Sequence, residues 1–294
     1  MSDEDSAEEQ IPDRVSLSRR APEASITPPQ TLTTPPQTLT APPQTSAVNT
    51  KDNANDIRRK ELIERFSQYY EINPKLASRM QILGDYDLVI LCDDSGSMNT
   101  PIHGTTTNRW DECRQLVHVI VDVYAAFDTN GVDVYFLNRQ PMLKVTDTKK
   151  VHELFEKPPN GLTPMVPALR AILKEKNMDN TANRNVLILI VTDGVPTDPK
   201  GEVNVDELEK IMRTERSPTT YVTFIACTDD LEALEYLNNW DCTMDRVDVV
   251  DDFRSELAQV REKRGPNTKF TYGDYLIKAL IGSIDTNSMD ALDE

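Results

Sequence analysis

No apolar run in this chain of 294 residues is long enough to cross a bilayer; the longest, residues 88–92 and 186–191, suit buried strands instead. Positive charge is also short: 32 Lys and Arg face 49 Asp and Glu, a formal net charge of −17. That balance repels nucleic-acid phosphates and bare acidic membranes, so neither is an expected partner. Cysteine is sparse. Cys92, Cys113, Cys227 and Cys242 form no CxxC pair, and no His stands at zinc-finger spacing, so the chain is read with reduced thiols rather than a disulfide framework. The first ten residues carry five acids and no apolar stretch, which is not a signal peptide; a cytoplasmic location is expected, with the nucleus left open.

Catalytic signatures are missing as well. There is no P-loop and no GxSxG elbow, and an aspartate-phosphatase pattern would need an acid where Ser95 stands. Of three histidines, His103 lies in the loop after residue 97 and is the one candidate base; His118 falls within a helical pattern and His152 in a polar stretch. A binding protein is expected, not an enzyme.

Residues 1–52 are rich in Pro, Thr, Ser and Gln and hold too few bulky apolar residues to offset ordering entropy, so a disordered extension is expected. A unit of seven residues recurs in it, Thr-Pro-Pro-Gln-Thr-Leu-Thr from Thr27 and again from Thr34, then in part from Ala41, which favours an extended, solvated linker. Residues 53–84 read as a helical flank, with Ile57, Leu62, Phe66 and Tyr69 near one face of the first helix.

From 85 to 264 strand-like and helix-like segments alternate. Buried strands are expected at 86–92 and 185–192, further strands at 132–137, 142–145, 221–227 and 246–250, and helices at 108–128, 164–174, 205–213, 231–240 and 253–261. Asn108 is placed to cap its helix with Asp111 returning the bond, above a stripe of Trp110, Cys113, Val117, Ile120, Tyr124 and Phe127. The fold class is α/β: a doubly wound, mostly parallel sheet flanked by helices. Residues 265–294 add a helical stripe, Tyr272 to Leu280, expected to pack on the domain, and then an acidic end.

Three loops carry chemistry. Asp93, Ser95 and Ser97 follow the first buried strand, Thr163 lies in Gly-Leu-Thr-Pro-Met, and Asp193 follows the second buried strand. In an open α/β sheet, ligands gather beyond the carboxyl ends of the strands, so both aspartates are expected on one rim. Carboxylates and hydroxyls are hard oxygen donors, suited to Mg²⁺ and also to Mn²⁺. Ser95 and Ser97 are expected to turn both hydroxyls one way in an extended loop, with Gly96 supplying backbone freedom.

These three segments, in this order, resemble the metal-site segments of von Willebrand factor type A domains, Asp93-Asp94-Ser95-Gly96-Ser97 matching the DxSxS motif. The resemblance spans about residues 86–261. It implies a metal-ion-dependent adhesion site in which Ser95, Ser97 and Thr163 are hydroxyl ligands and Asp93 and Asp193 the carboxylates. Asp94 would point away or support the ligands from behind. It implies in turn a Mg²⁺-dependent module whose cation bridges to an Asp or Glu of a protein partner. A metal-dependent hydrolase, an accessory subunit of an enzyme assembly, and an adaptor that binds through its helical flanks are the alternatives. The acidic end, with Asp285, Asp290, Asp293 and Glu294, could offer the carboxylate in cis or from a second molecule. Oligomeric state and partner identity are left open.

Overall fold

A computed structural model describes residues 50–285 except 104, 179–183, 229–231 and 238–239. All of these belong to one compact unit, Val48–Glu294. The Pro/Thr-rich repeat and the tail acids Asp290, Asp293 and Glu294 lie outside the described residues.

The strands are β1 (Tyr86–Cys92), β2 (Val132–Phe136), β3 (Met142–Val145), β4 (Asn185–Thr192), β5 (Thr220–Ala226) and β6 (Val247–Val250). They form one sheet in the order β3-β2-β1-β4-β5-β6. Every pairing is parallel except that of β2 with the edge strand β3. β1 and β4, apolar apart from Asp87, Asn185 and Thr192, pair in register from Tyr86↔Asn185 to Cys92↔Val191. Strand order reverses between these two, so the crevice beyond their carboxyl ends is the topological switch point of the sheet.

Helices cover both faces, which is why the central strands are continuously apolar rather than alternating. The helices are α1 (Thr50–Tyr69), α2 (Pro74–Arg79), α3 (Arg109–Tyr124), α4 (Thr148–Phe155), α5 (Met165–Met178), α6 (Val205–Thr214), α7 (Trp240–Thr243), α8 (Phe253–Arg264) and α9 (Tyr272–Ile281). On one face Leu88, Ile90 and Cys92 pack with Cys113 and Val117 of α3, Val151 and Phe155 of α4, and Leu276 and Leu280 of α9. On the other, Val89 and Leu91 meet Leu169 and Ile172 of α5 and Leu208 and Ile211 of α6. The period of two along β1 thus divides its side chains between two cores. The stripe of α9 is spent on its own domain, as expected.

Some local expectations need correction. In α1, Ile57 and Tyr69 are 52% and 77% exposed, while Ile63 and Phe66 are buried. The packing face is therefore rotated from the one expected. The polar stretch around His152 is helical: α4 spends eight residues burying only Val151 and Phe155, and Asp147 caps it through a 2.9 Å bond from the Lys149 N–H. Within the helix expected at 231–240, the described residues 232–237 form a 3₁₀ turn and Trp240 begins the short α7. Residues 50–52, assigned to the extension, begin α1. Among the described residues no helix is long and apolar enough to cross a membrane.

Candidate functional site

Asp93 leaves β1 and Asp193 leaves β4, one on each side of the switch point. The Asp93 N–H still donates to the Val191 carbonyl at 2.8 Å, so the ladder holds up to the first residue of the loop. Asp93, Ser95 and Asp193 are almost fully buried, with 1%, 2% and 3% exposure. Ser97 is on the surface.

Contacts join four of the five expected residues directly. The Ser95 N–H donates to Asp93 Oδ1 at 2.9 Å, and the hydroxyls of Ser95 and Ser97 are 2.9 Å apart. Ser97 Oγ then donates to Asp193 Oδ1 at 2.8 Å. The two serines meet because residues 96–99 close a 3₁₀ turn, not because the loop is extended. Gly96 needs no special freedom there: a Cβ would sit 3.7 Å from the Gly161 carbonyl, an ordinary contact.

Thr163 enters through its backbone. Its N–H donates to Thr197 Oγ1 at 3.0 Å, and its carbonyl accepts from the Thr197 N–H at 2.8 Å. Gly96 N–H donates to the Gly161 carbonyl at 3.0 Å, which ties the serine loop to the Thr163 loop. Three segments far apart in sequence are thereby laced together at one rim.

Asp94 turns the other way. Its carboxylate, 1% exposed, accepts from the Asn138 N–H (2.8 Å) and side-chain amide (3.1 Å) and from Arg139 Nε (2.6 Å). It braces the loop after β2 from behind the site.

The negative charge at the rim is concentrated. Burial first, then repulsion from Asp193, pushes the Asp93 carboxyl up to about 6, although bonds from Ser95 and from Thr192 Oγ1 (2.7 Å) pull it down. Asp193 Oδ2 is met by Arg109 Nη1 at 2.8 Å.

Arg109, Thr192 and Thr197 are participants that the sequence reading passed over. The threonines flank Asp193 in sequence, Thr192 directly before it and Thr197 four residues after it; Arg109, at a loop-to-helix boundary, carries no motif. The loop that carries His103 is closed by a bridge between Pro101 and Asn108 and anchored by buried Ile102, while His103 is exposed. Asp285 is bonded to Arg79 at 2.9 Å, beside the segment that enters the amino end of β1. It is therefore held at the opposite end of the sheet from the rim.

Among the described residues, no group of three or more His, Cys, Asp and Glu side chains is arranged to hold a metal ion. The five candidate residues include only two carboxylates, and the rest of their donors are hydroxyls. Such an all-oxygen set fits a small hard divalent cation, and the crowding of Asp93 by Asp193 is charge that a cation would relieve.

The chain matches no family model and no curated protein sequence. Similar solved structures include the manganese-loaded TRAP protein of Plasmodium vivax, with 17% identity over 60% of this chain and 72% of that one and a TM-score of 0.39. Another is the pilus adhesin SpaC of Lactobacillus rhamnosus GG in an open conformation, with 14% identity over 71% of this chain and 30% of that one and a TM-score of 0.40. At these identities and scores the likenesses assign neither family nor ligand.

Proposed function

We propose that this chain is a divalent-cation-dependent protein-binding module. Asp93, Ser95, Ser97, Thr163 and Asp193 would hold Mg²⁺, or Mn²⁺ in its place, and an Asp or Glu carboxylate of a protein partner would complete the site. When bound, the cation supplies an electrophilic centre for that carboxylate. The residues of the chain hold the donors in place: the 3₁₀ turn presents both serines, Thr197 fixes the Thr163 backbone, and Thr192 steadies Asp93.

The observation that carries this reading is the Ser97 hydroxyl, which meets Ser95 on one side and Asp193 on the other. It joins loops from both sides of the switch point into one patch of hard oxygen donors. The motif resemblance points to the same residues. The reading is of a binder and not an enzyme, and it is supported by what the rim contains: carboxylates fixed by hydroxyls and an arginine, with His103 turned to solvent. The four cysteines, Cys92, Cys113 and Cys227 buried and Cys242 exposed, form no disulfide, which suits a reducing compartment such as the cytoplasm.

Calorimetric titration of Mg²⁺ and Mn²⁺ into wild type and Asp193→Asn tests the site, and affinity capture of partners with and without Mg²⁺ tests the function. Saturable cation binding lost in the variant, with capture lost in EDTA, is expected. Identical partner sets under all conditions would overturn the bridge and favour an adaptor working through its flanks.

A further inference from the structure

The amino ends of β5 and β6 lie at the opposite end of the sheet from Asp93 and Asp193. A cavity of about 320 Å³ opens there, between the end of α6, the start of β5 and the turn that leads from α7 into β6. Arg213, Arg216 and Arg246 line it, with Ser217, Thr243 and one carboxylate, Asp245. Three arginines on one cavity run against a chain whose net charge is −17.

Arg216 is built into the frame. Its Nε donates to the Met212 carbonyl at 2.8 Å, Nη1 to the carbonyls of Thr220 (3.1 Å) and Arg246 (3.3 Å), and Nη2 to that of Asp245 (2.9 Å). These bonds tie α6 to both strands and fix the guanidinium, but carbonyls do not neutralise its charge. Burial first, and then the charge of Arg246, push Arg216 below the ordinary guanidinium range; Asp245 opposes them with the smallest of the three effects.

Arg246 is held beside it in a strained backbone. Its φ of 60° lies in the left-handed region, which a residue with a Cβ adopts at a cost. Its guanidinium carbon lies 5.8 Å from the centre of the Tyr221 ring, and among the described residues it makes no ion pair. Arg213 is partly committed, with Nε on Glu209 at 2.8 Å and Nη1 and Nη2 each 3.3 Å from oxygens of Thr243.

The chain therefore gathers like charges, and strains its backbone, without an ion pair for Arg246 to offset either. An oxyanion seated among the three groups would turn the repulsion into attraction. Forked guanidinium donors converging from separate segments match the tetrahedral oxygens of a phosphoryl group better than the two coplanar oxygens of a carboxylate. We propose that Arg213, Arg216 and Arg246 form a binding site for a phosphoryl group, separate from the candidate cation site and independent of it. The cavity is in the size range of small-ligand sites, roughly 300–1,000 Å³, so it has room for part of the molecule that carries the phosphoryl group.

The experiment titrates inorganic phosphate into the full chain by calorimetry, with chloride at matched ionic strength as the control. Saturable binding of phosphate and not of chloride is expected. Arg246→Asn removes the charge and places at φ 60° a residue that tolerates the left-handed region. It should bind phosphate about tenfold more weakly, as loss of a charged hydrogen-bonding group implies. Without phosphate its urea midpoint should equal or exceed that of wild type, because repulsion and strain are both relieved. Arg213→Gln should weaken phosphate binding by less, since Glu209 already draws on that guanidinium.

Absence of phosphate binding by wild type overturns the proposal, as does unchanged affinity in Arg246→Asn. A lower urea midpoint for Arg246→Asn overturns it too, by showing that the arginine is kept for the fold. A peptide of residues 27–33 phosphorylated at Thr27, beside its unmodified form, separates two sources of the phosphoryl group. Tighter binding of the phosphopeptide than of inorganic phosphate supports the site with a phosphorylated protein segment as its ligand; binding of inorganic phosphate alone supports it with a small phosphorylated molecule.

Discussion

Arg139 clasps Asp94 from the side away from the candidate site, with Nε 2.6 Å from the carboxylate and the guanidinium carbon 5.0 Å from the centre of the Trp110 ring. The same guanidinium donates to the carbonyls of Leu154, Lys157 and Pro158, so one side chain joins the loop after β1 to the end of α4. Removing one partner of such a pair strands a buried charge. Arg139→Ala should therefore cost about 3–5 kcal/mol of stability, measured by urea unfolding. Asp94→Asn should cost less, because the Asn138 donors retain an acceptor.

Ser97 gives the complementary case, since it is exposed and its hydroxyl faces other candidate donors. Ser97→Ala should leave unfolding stability within about 0.5 kcal/mol of wild type. Mn²⁺ affinity should nevertheless fall, on the order of tenfold for loss of one ligand or its support. A variant that loses stability and keeps its Mn²⁺ affinity would mark the serine bridge as a structural latch alone.

Asp248 on β6 should impose a pH dependence. Burial pushes its carboxyl up to about 6 from an ordinary 3.8, with Glu256 and Asp241 adding to the rise and Lys278 opposing it. One of its oxygens, Oδ2, is buried without a hydrogen-bond partner. Because the folded value lies above the unfolded one, the stabilising contribution is complete below about pH 4 and is lost as pH rises through about 6. Asp248→Asn should therefore stabilise the chain more at pH 7.5 than at pH 5, by roughly 1 kcal/mol, in urea titrations at the two values. An equal gain at both would mean that Asp248 does not titrate in this range.

Gly273 marks where α9 meets the end of α1. A Cβ there would collide with the Tyr70 carbonyl and lie 2.7 Å from Ile72 Cγ1. The first of these is backbone and cannot swing aside. Gly273→Ala should cost about 1–3 kcal/mol, as overpacking does. Faster amide hydrogen exchange along α1 would show where the damage falls.

The strands and the helix α3 were legible because their signals are local: residues 88–92 of β1 and 186–191 of β4 are unbroken apolar runs, and Asn108 with Asp111 spells out a cap. The metal-ligand candidates were legible because each sits directly after a strand or before a helix. α4 was hidden because its apolar residues, Val151, Leu154 and Phe155, are diluted by Lys149, Lys150, His152 and Glu153, and a single buried side anchors it. The face of α1 was misjudged because Ile57 and Tyr69 fit the helical period yet lie on its exposed side. Arg109 could not be found from sequence at all. Its meaning lies in a contact with Asp193, 84 residues away, that exists only once the sheet has formed.

The central β1–β4 ladder has a consequence for how the chain folds. The segments from β1 through α5 can form contacts with near neighbours, but β4 must close a long loop to zip onto β1, and such closure is slow. Asp93 and Asp193 are delivered to one place only by that zipping. Any partly folded chain stopped before it carries half a site on each side of an unformed seam. Under the proposed function, competence for a cation would arrive only with that step, and a refolding experiment that follows Mn²⁺ uptake would time the closing of the sheet.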